Sequence, residues 1–455
     1  MAVTTKGVVK GTASYYQSLD GLLKDFYGPR IAETINNNNF ALDRLEKRKD
    51  MKWSGRKVSF PVHTKRNTGV GFRDETGSLP SAGGQKYEIA EVTDVLFYGT
   101  VQLTGLALDA VLSDRGGFRR ALDSEMQGMV NDSRNHFGRA VWGMPVDGTG
   151  DSENSLNCFL GRSATVGESS TPDIVRPLGY TNVDANGTTR YFRVGDAVSW
   201  GSAAEFKSGT LAGYGEVTAV NTSTKKITVA KKEAGDKDPV KDDWFVVGSN
   251  KTSGTFEFDN GLNGLGAITA DFQDIASQKL QGIAITSAGD YSWRSFSEDH
   301  TGASSAFDAS KIHSLVHNIQ EVGQGSPSLL VTHYSMLLEY VQTMEDQARF
   351  SNDSLKGGYQ TISFASDKVY DWVVDKYCPY GAIFALDESN LFWAVRRDFG
   401  WDDRGGAILK SMAVGGTAQD SVRGFYKAYL QMAYNNLNSH GVAVDITVDS
   451  ASLPR

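Results

Sequence analysis

Cysteine is nearly absent from this chain of 455 residues, which contains only Cys158 and Cys378. Two thiols that lie far apart, with no Cys-x-x-Cys pair, argue against a disulfide framework and against a cysteine zinc site. Isolated thiols are typical of proteins made in a reducing cytoplasm. Long apolar runs are absent too, since no stretch approaches the roughly 18 residues of a membrane helix. Met1–Tyr16 also lacks the apolar centre of a secretory signal. We therefore expect a protein without a membrane span that is made in the cytoplasm.

Positive charge is also scarce. Lys and Arg number 46 against 54 Asp and Glu, which gives a formal net charge of -8. This balance argues against a protein that coats nucleic acid over its whole surface, because such proteins are usually basic. Hydrophobic residues make up 40% of the chain, enough for packed cores. A chain of this length predicts two or three lobes.

Catalytic motifs are missing from the sequence. It contains no G-x-x-x-x-G-K-[ST] phosphate loop and no G-x-S-x-G nucleophile elbow. His313 and His317 stand four residues apart, but Ser314 takes the position where a metalloprotease needs glutamate. The glycines of segment 261–266 predict turns, because neither a strand-turn-helix context nor an acidic partner supports a dinucleotide site. We therefore predict that the chain is not an enzyme and holds no cofactor and no metal.

Residues 55–106 have the pattern of a long β-hairpin. Lys57–His63 alternates apolar and polar residues, as a half-buried strand does. Tyr87–Leu106 is rich in β-branched and aromatic residues and predicts one long returning strand. The stretch between them, Lys65–Gln85, is polar and rich in glycine. A loop of this length has little to pack against in its own subunit, so the pattern predicts a partner.

A long amphipathic helix is predicted to begin at Ser113 or Asp114 and to run to about Trp142, where Gly143 ends it. Apolar residues recur at steps of three and four between Phe118 and Val141, which gives the helix one apolar stripe. We expect this stripe to pack on a sheet.

Residues 181–250 differ in composition from the rest and are small, polar and β-branched. Four short strands are predicted there, with turns rich in glycine and charge between them: Tyr191–Trp200, Tyr214–Val220, Lys226–Ala230 and Trp244–Val247. This spacing is typical of a small barrel or sandwich. Helical patterning resumes afterwards, so we interpret the segment as an inserted β domain.

The remainder alternates between helices and short strands. The predicted helices are Ser310–Val322 and Tyr334–Thr343. The predicted strands are Leu329–Val331, Tyr370–Val374, Ala382–Ala385, Leu391–Val395, Val422–Tyr434 and Val442–Val448.

The first 54 residues have few apolar positions and predict an arm rather than a domain. Short helices are expected at Ser18–Phe26 and Phe40–Arg48. Between Asp43 and Arg66, basic residues greatly outnumber acidic ones. Such an excess is typical either of a solvated face or of a surface for phosphate or acidic neighbours. Within the arm these basic residues are Arg44, Lys47, Arg48, Lys49 and Lys52.

The order of these features resembles the major capsid proteins of tailed bacteriophages with the Hong Kong 97 fold. Single segments look like that family as well: Leu280–Ile283 followed by Tyr291–Arg294, then Ser328–Leu338, Ile362–Ala365, Ala382–Asp387 and Val422–Leu430. The resemblance covers most of the chain except about 181–250 and implies an α+β fold, which together with the inserted β domain has six parts. These are an N-terminal arm at 1–54, an extended loop at 55–106, a spine helix and peripheral domain at 107–180, an inserted small β-barrel-like domain at 181–250, an axial domain with peripheral segments at 251–420, and a C-terminal peripheral strand and tail at 421–455.

The same resemblance implies a structural role. The chain would assemble as pentamers and hexamers into an icosahedral head that encloses double-stranded phage DNA, in the cytoplasm of a bacterial host and finally in the virion. The implied partner is a portal. The arm is too short to contain a fused scaffold, so we expect either a separate scaffolding protein or none, and decoration proteins stay open. The expected inter-subunit contacts are Lys65, Arg66, Phe72, Arg73, Asp74, Glu75 and Lys86. The basic residues of the arm are the candidates for facing DNA.

Two other classes of protein stay open from the residues alone. One is a phage tail or host- and carbohydrate-binding module, with the small β domain as its binding unit. The other is an α/β enzyme that uses scattered carboxylates, which sequence cannot pair in space. The missing repeats count against the first, and the empty motif search counts against the second.

Overall fold

The structure is a computed structural model that describes residues 44–67, 69–75, 77–104, 115–143, 159–175, 188–252, 261–274, 278–287, 291–300, 306–347, 361–363, 369–403, 408–414 and 417–448. The predicted helix Ser18–Phe26 and Cys158 lie outside the described residues. The mixture of helices and strands is that of an α+β protein, as predicted. Within the described ranges, no helix is long and apolar enough to cross a membrane.

The described residues contain the following strands and α-helices. The strands are β1 (Glu46–Arg48), β2 (Lys57–Lys65), β3 (Lys86–Thr93), β4 (Val95–Thr104), β5 (Phe159–Ser163), β6 (Ile174–Val175), β7 (Ala197–Gly201), β8 (Gly213–Asn221), β9 (Lys226–Lys231), β10 (Trp244–Val247), β11 (Lys279–Leu280), β12 (Ile283–Ala284), β13 (Phe296–Asp299), β14 (Leu329–Thr332), β15 (Thr361–Ser363), β16 (Val369–Val374), β17 (Ile383–Leu386), β18 (Leu391–Trp401), β19 (Leu409–Val414), β20 (Thr417–Tyr434) and β21 (Gly441–Val444). The α-helices are α1 (Arg115–Ala140), α2 (Ala203–Ser208), α3 (Ala270–Gln273), α4 (Ala309–Glu321) and α5 (Tyr334–Gln347).

The chain divides into two compact units. Unit 1 takes in the described residues within 96–137 and 397–430, and unit 2 takes in the others. In unit 1, β19 and β4 both pair with the long strand β20. The predicted long helix is present as α1, whose 26 residues correspond to about 39 Å.

An aromatic cluster joins α1 to the strands of unit 1. Phe137 from the helix meets Phe97 of β4 and Phe399 of β18, each at 4.8 Å between ring centroids and edge to face. Phe399 in turn stacks on Tyr426 of β20 at 6.1 Å. Phe137 belongs to the predicted apolar stripe, so at this point the stripe packs on the strands as expected.

A six-stranded mixed sheet forms one core of unit 2, in the order β13-β21-β17-β14-β16-β15. Helix α4 packs on it through Ile312, Leu315 and Ile319, and α5 through Met336. Both predicted helices and the buried strand Leu329–Val331 are confirmed with shifts of a few residues.

The C-terminal region departs from the predicted peripheral strand and tail at 421–455. β20 ends at Tyr434, and β21 then pairs in parallel with β13 and antiparallel with β17. The predicted strand Val442–Val448 therefore belongs to the six-stranded sheet rather than to a peripheral tail. Its alternation was visible in the sequence, but its partners lie more than 50 residues away in the chain.

A second six-stranded sheet has the order β6-β5-β10-β7-β8-β9. Three of the four strands expected within 181–250 lie close to their predicted ranges, whereas the predicted strand Tyr191–Trp200 begins only at Ala197, because Thr188–Tyr191 is a 3-10 helix. The sheet closes on itself, because the segment before β6 bonds to the outer edge of β9. The amide of Val229 donates to the carbonyl of Ser170 at 2.9 Å, and the amide of Ile174 donates to the carbonyl of Lys225 at 2.9 Å. Closure leaves no open sheet edge at β9. The sheet also takes in β5 and β6, so it begins well before residue 181.

Large apolar side chains fill the interior of this closed sheet. Trp200 and Phe245 lie with ring centroids 6.1 Å apart, and Phe192 meets Phe245 edge to face at 5.7 Å. The other buried side chains of the sheet include Leu160, Ile174, Val198, Val217, Ile227 and Val229. Buried residues alternate with less buried ones along much of β8 and β9, as in strands that turn one face to a core.

One prediction near the N-terminus was wrong. Glu46–Arg48, expected at the end of a helix from Phe40, is the strand β1, which pairs in parallel with Phe392–Ala394 of β18. The guanidinium of Arg48 lies 4.0 Å from the centroid of the Phe392 ring. A distant strand therefore overrides the local helical preference, which is a weak one in so short a segment.

Candidate interface on the hairpin

The antiparallel ribbon of β2 and β3 carries the expected contact residues at its far end. Its register runs from Lys57 opposite Thr93 to Lys65 opposite Lys86. Alternate residues point to opposite faces of a ribbon, so the two faces can be described separately.

One face of the ribbon is covered. Val58 and Val92, which are cross-strand partners, pack with Phe392 and Ala394 of β18 in one buried cluster. Phe60 lies on the same face, 5.9 Å from the Phe392 ring. This packing fixes the base of the hairpin on its own subunit.

The opposite face of the ribbon is open to solvent. His63 and Tyr87 are cross-strand partners with ring centroids 5.1 Å apart, and Pro61 lies opposite Ile89. Tyr87 is 63% exposed and Ile89 is 66% exposed. Apolar side chains in adjoining positions on one open face are typical of a surface that another molecule covers.

The tip between the strands is more exposed still. Val70 is 84% exposed, Leu79 is 85% exposed, and Phe72 is fully exposed. All seven predicted contact residues are exposed in the single chain: Lys65, Arg66, Phe72, Arg73, Asp74, Glu75 and Lys86. The structure thus brings them to one end of one ribbon, while their contact with a partner stays a prediction.

Charges along the ribbon largely pair within it. Lys57 Nζ lies 2.6 Å from Glu91 Oε2, and Lys86 Nζ lies 2.6 Å from Glu88 Oε1. Exposed pairs of this kind stabilise the fold little. Their effect is to leave the ribbon without a strong charge of either sign, so that its apolar residues are the distinctive feature.

A buried carboxylate, missed in the sequence, holds the base of the hairpin. The predicted single strand Tyr87–Leu106 is two strands, because the chain leaves β3 at Asp94 and joins another sheet as β4. The Asp94 side chain is only 1% exposed. Its two oxygens accept from Arg56 Nε at 3.0 Å and from Arg396 Nη1 at 3.2 Å.

The backbone at this break is bonded as well. The Asp94 amide donates to the Arg56 carbonyl at 3.0 Å, Arg56 Nη2 donates to the Asp94 carbonyl at 2.9 Å, and Arg396 Nη1 donates to the Gly55 carbonyl at 2.9 Å. These bonds satisfy the polar groups that a strand break would otherwise leave buried. In the sequence, an aspartate inside a β-branched run was the available signal.

The basic residues of the arm are partly engaged within the chain. Arg44 pairs with Glu388 and Asp371, and hydrogen bonding to Glu388 is the main reason why its pKa is raised. Arg48 pairs with Glu46 at 2.9 Å in addition to its contact with Phe392. Lys49 and Lys52 are exposed, and Lys47 is partly buried. Local charge counting could not find Asp371 and Glu388, which come from far along the chain.

A second charged cluster lies in unit 1. Asp402, nearly buried, accepts from Lys427 Nζ at 2.8 Å and from Lys410 Nζ at 3.2 Å, and hydrogen bonding to Lys427 is the main cause that lowers its pKa. The amide of Asp402 also donates to the Phe425 carbonyl at 2.8 Å. This arrangement ties β18, β19 and β20 together and has a structural role.

Burial shifts the pKa values of other titratable groups as well. Burial lowers the pKa of His440 to about 4 and raises that of Asp375 to about 6. Burial likewise raises the pKa of Asp243, in the closed sheet, to about 6. His317, one of the two histidines considered above, is exposed and lies 2.7 Å from Glu321. Among the described residues there is no group of three or more His, Cys, Asp or Glu that could hold a metal ion.

No protein-family model matches the chain, and no curated protein matches it in sequence. A chain of the Cyanophage A-1(L) capsid asymmetric unit is similar in structure, with 11% identity, coverage of 98% of this chain and 97% of that one, and a TM-score of 0.48.

Two further solved structures are similar to the chain over nearly its whole length. A chain of Microbacterium phage Oxtober96 is 12% identical over 95% of this chain and 99% of that one, with a TM-score of 0.45. The capsid of the native GTA particle is 11% identical over 95% and 99%, with a TM-score of 0.42. The chain is thus similar over nearly its whole length to chains of phages and of phage and GTA capsids, the class of protein that its sequence resembles.

Proposed function

We propose that this chain is a major capsid protein of the Hong Kong 97 fold, a structural subunit whose copies build the shell of a phage head. The observation that carries the proposal is the hairpin. One of its faces is fixed to the chain's own core, while Tyr87, Ile89 and the apolar residues of its tip remain exposed. Leaving five large apolar side chains in water on one projection is unfavourable unless a partner covers them.

A shell of identical copies provides such a partner at every position. We propose that the copies associate as pentamers and hexamers, so that each hairpin covers a neighbour and each subunit is covered in turn. Many modest contacts then add up to a durable assembly. The contact residues are expected to be Lys65, Arg66, Phe72, Arg73, Asp74, Glu75 and Lys86. The long helix α1 would serve as the spine, and the closed sheet of β5–β10 as the inserted domain.

The shell would enclose double-stranded DNA without reading its sequence. We propose that the basic residues of the arm supply positive charge toward the DNA: Arg44, Lys47, Arg48, Lys49 and Lys52. Arg44 and Arg48 also join the arm to its own subunit. Contact of this kind is electrostatic and weakens as salt rises. A portal, and separate scaffolding or decoration proteins, would complete a virion assembled in a bacterial cytoplasm.

Negative-stain electron microscopy with size-exclusion chromatography tests the proposal. The full chain is examined alone and in a lysate of phage-infected cells. We expect closed shells, or isolated pentamers and hexamers. A compact monomer that never assembles in either preparation would contradict the capsid function and favour the tail or host-binding module.

A further inference from the structure

A short segment before β7 contacts two sheets at once. Residues 189–193 lead into the closed sheet, where Phe192 is buried and meets Phe245 edge to face at 5.7 Å. The side chains on either side of Phe192 contact residues 376–380, which connect β16 to β17 of the six-stranded mixed sheet: Arg190, Tyr191 and Arg193. We call this contact between 189–193 and 376–380 the joint.

The side of the joint that belongs to the six-stranded mixed sheet is a closed turn. The Cys378 amide donates to the Asp375 carbonyl at 3.2 Å, and the Tyr377 amide donates to Asp375 Oδ1 at 2.7 Å. The Asp375 amide donates in turn to the Thr332 carbonyl of β14 at 3.0 Å. Asp375, Tyr377 and Cys378 are buried. The turn is therefore fixed on the sheet, and its carbonyl groups have fixed directions.

Three consecutive carbonyl groups of this turn face the Arg190 side chain. Arg190 Nη2 donates to the Cys378 carbonyl at 2.7 Å and lies 3.4 Å from the Tyr377 carbonyl oxygen. Arg190 Nη1 lies 3.5 Å from the Lys376 carbonyl oxygen. Carbonyl oxygens that converge on one point attract a cation, and hydrogen bonds to a charged group are stronger than those between neutral groups. The charge of Arg190 therefore matches the turn.

Two aromatic rings match the shape of that cation. Arg190 Cζ lies 4.1 Å from the centroid of the Tyr380 ring and 4.7 Å from the centroid of the Tyr191 ring. A planar guanidinium stacks on aromatic rings and presents a fork of N–H groups, whereas the ammonium of lysine is a compact point charge. We define the socket as the carbonyl groups of 376–378 together with the Tyr380 ring. Its shape and polarity fit a guanidinium group.

Further hydrogen bonds surround the socket. The Tyr191 hydroxyl donates to the Tyr377 carbonyl at 3.1 Å, and Arg193 Nη2 donates to the Tyr377 hydroxyl at 3.1 Å. Arg139, near the end of α1, donates from Nη1 to the Tyr191 carbonyl at 3.3 Å. Tyr191 and Tyr377 are buried, so a movement of the closed sheet away from the turn would break bonds whose loss is costly.

We propose that Arg190 is a latch: its guanidinium, held in the socket, locks the closed sheet to the six-stranded mixed sheet as a fixed part of the subunit. The closed sheet then has an internal role instead of that of a separate binding module. The inference goes beyond the capsid function, because the joint lies within a single chain and holds whether or not copies assemble.

Hydrogen–deuterium exchange of the full chain, followed by mass spectrometry, tests the latch. Arg190→Lys keeps the positive charge but loses the planar fork. We expect amides in 375–380 to exchange about tenfold faster in this variant and in Arg190→Ala, while β8 and β14 keep their protection. Arg162→Lys is the matched control, because Arg162 lies on β5 of the same closed sheet and pairs with the exposed Asp242 at 3.6 Å. This control should leave exchange in 375–380 unchanged.

Chemical rescue separates a specific socket from general stabilisation. Ethylguanidinium chloride at about 10 mM, which suits the millimolar affinity of so small a ligand, should restore most of the protection of 375–380 in Arg190→Ala. Ethylammonium chloride at the same concentration should not, because it lacks the planar fork. Should Arg190→Ala fail to fold, the comparison of Arg190→Lys with Arg162→Lys decides alone.

Three results would overturn the inference. They are equal exchange in Arg190→Lys and the unchanged chain, faster exchange throughout both sheets, and rescue that does not favour ethylguanidinium over ethylammonium. None of these measurements depends on shells, which are scored by electron microscopy. The capsid function can therefore fail while the latch stands, and the latch can fail while shells form.

Discussion

At the scale of single residues, Asp94 is the strongest candidate for fixing the hairpin. It lies where β3 ends and β4 begins, nearly inaccessible to solvent, between Arg56 and Arg396. Charge-assisted hydrogen bonds to a buried carboxylate stabilise more than exposed pairs do. We therefore expect Asp94→Asn to reduce the free energy of unfolding by about 2–3 kcal/mol in urea titrations.

A matched variant on the same ribbon controls for the loss of charge. Glu91→Gln removes the exposed pair with Lys57, and its expected cost is within about 0.5 kcal/mol. Equal effects from the two substitutions would mean that burial at Asp94 contributes nothing to the stability of the hairpin base.

His440 makes the free energy of unfolding depend on pH. Its ordinary pKa of 6.5 is lowered to about 4 by burial in the folded chain, so the unfolded chain binds the proton more readily between these values. Its contribution to stability is complete above pH 6.5 and is lost as the pH falls toward 4, with a slope of at most about 1.4 kcal/mol per pH unit.

Replacing His440 by glutamine should flatten this dependence. The amide oxygen of glutamine can accept the hydrogen bond that the Asp387 amide donates to His440 Nδ1 at 3.1 Å. Melting temperatures are compared at pH 4.5 and 7. Asp375 and Asp243 act in the opposite direction, because their raised pKa makes stability fall as the pH rises from 3.8 to about 6. Both carboxyl groups are present in the unchanged chain and in the His440→Gln variant, so their effect cancels in the comparison. Parallel pH curves for the two proteins would rule His440 out as the source.

At the scale of elements, periodic segments were predictable and long-range pairing was not. Helix α4 and strand β10 match their predicted ranges within one residue, because each has a complete local pattern. The strand β1 was missed because its partner β18 lies more than 300 residues away. The exposed tip of the hairpin was predictable from glycine and polar composition, whereas the close approach of Gly69 to Ser81 and Gly83 depends on the path of the backbone.

The extent of the closed sheet gives a prediction about deletions. Removing 181–250 would delete β7–β10, so that β5 would lose its neighbour β10 and β6 its bonds to the edge of β9. Removing 159–252 would delete the whole sheet. We expect the shorter deletion to yield less soluble protein than the longer one, since unpaired strand edges and uncovered apolar side chains promote aggregation.

Soluble yield and size-exclusion profiles of the two deletions give the measurement. A control substitution, Lys232→Gln, removes an exposed ion pair with Glu216 and should leave the yield unchanged. If the shorter deletion were the more soluble of the two, β5 and β6 would not depend on the rest of the sheet.

At the scale of the whole molecule, the distribution of charge predicts how copies associate. The chain has a formal net charge of -8, and the ribbon's charges are largely paired with each other. Apolar contact should therefore dominate association, against a modest repulsion between negatively charged copies. Added sodium chloride screens this repulsion, whereas it would weaken an assembly held by ion pairs.

We expect assembly, followed by light scattering, to begin at the same or a lower protein concentration in about 1 M sodium chloride than in about 0.1 M. It should also be stronger at 25 °C than at 5 °C, because apolar association weakens on cooling. Phe72→Ala should raise the required concentration at both salt levels, which ties the effect to the hairpin. Shells that dissolve in the higher salt and are indifferent to cooling would show that ion pairs, rather than the exposed apolar residues of the hairpin, join the copies.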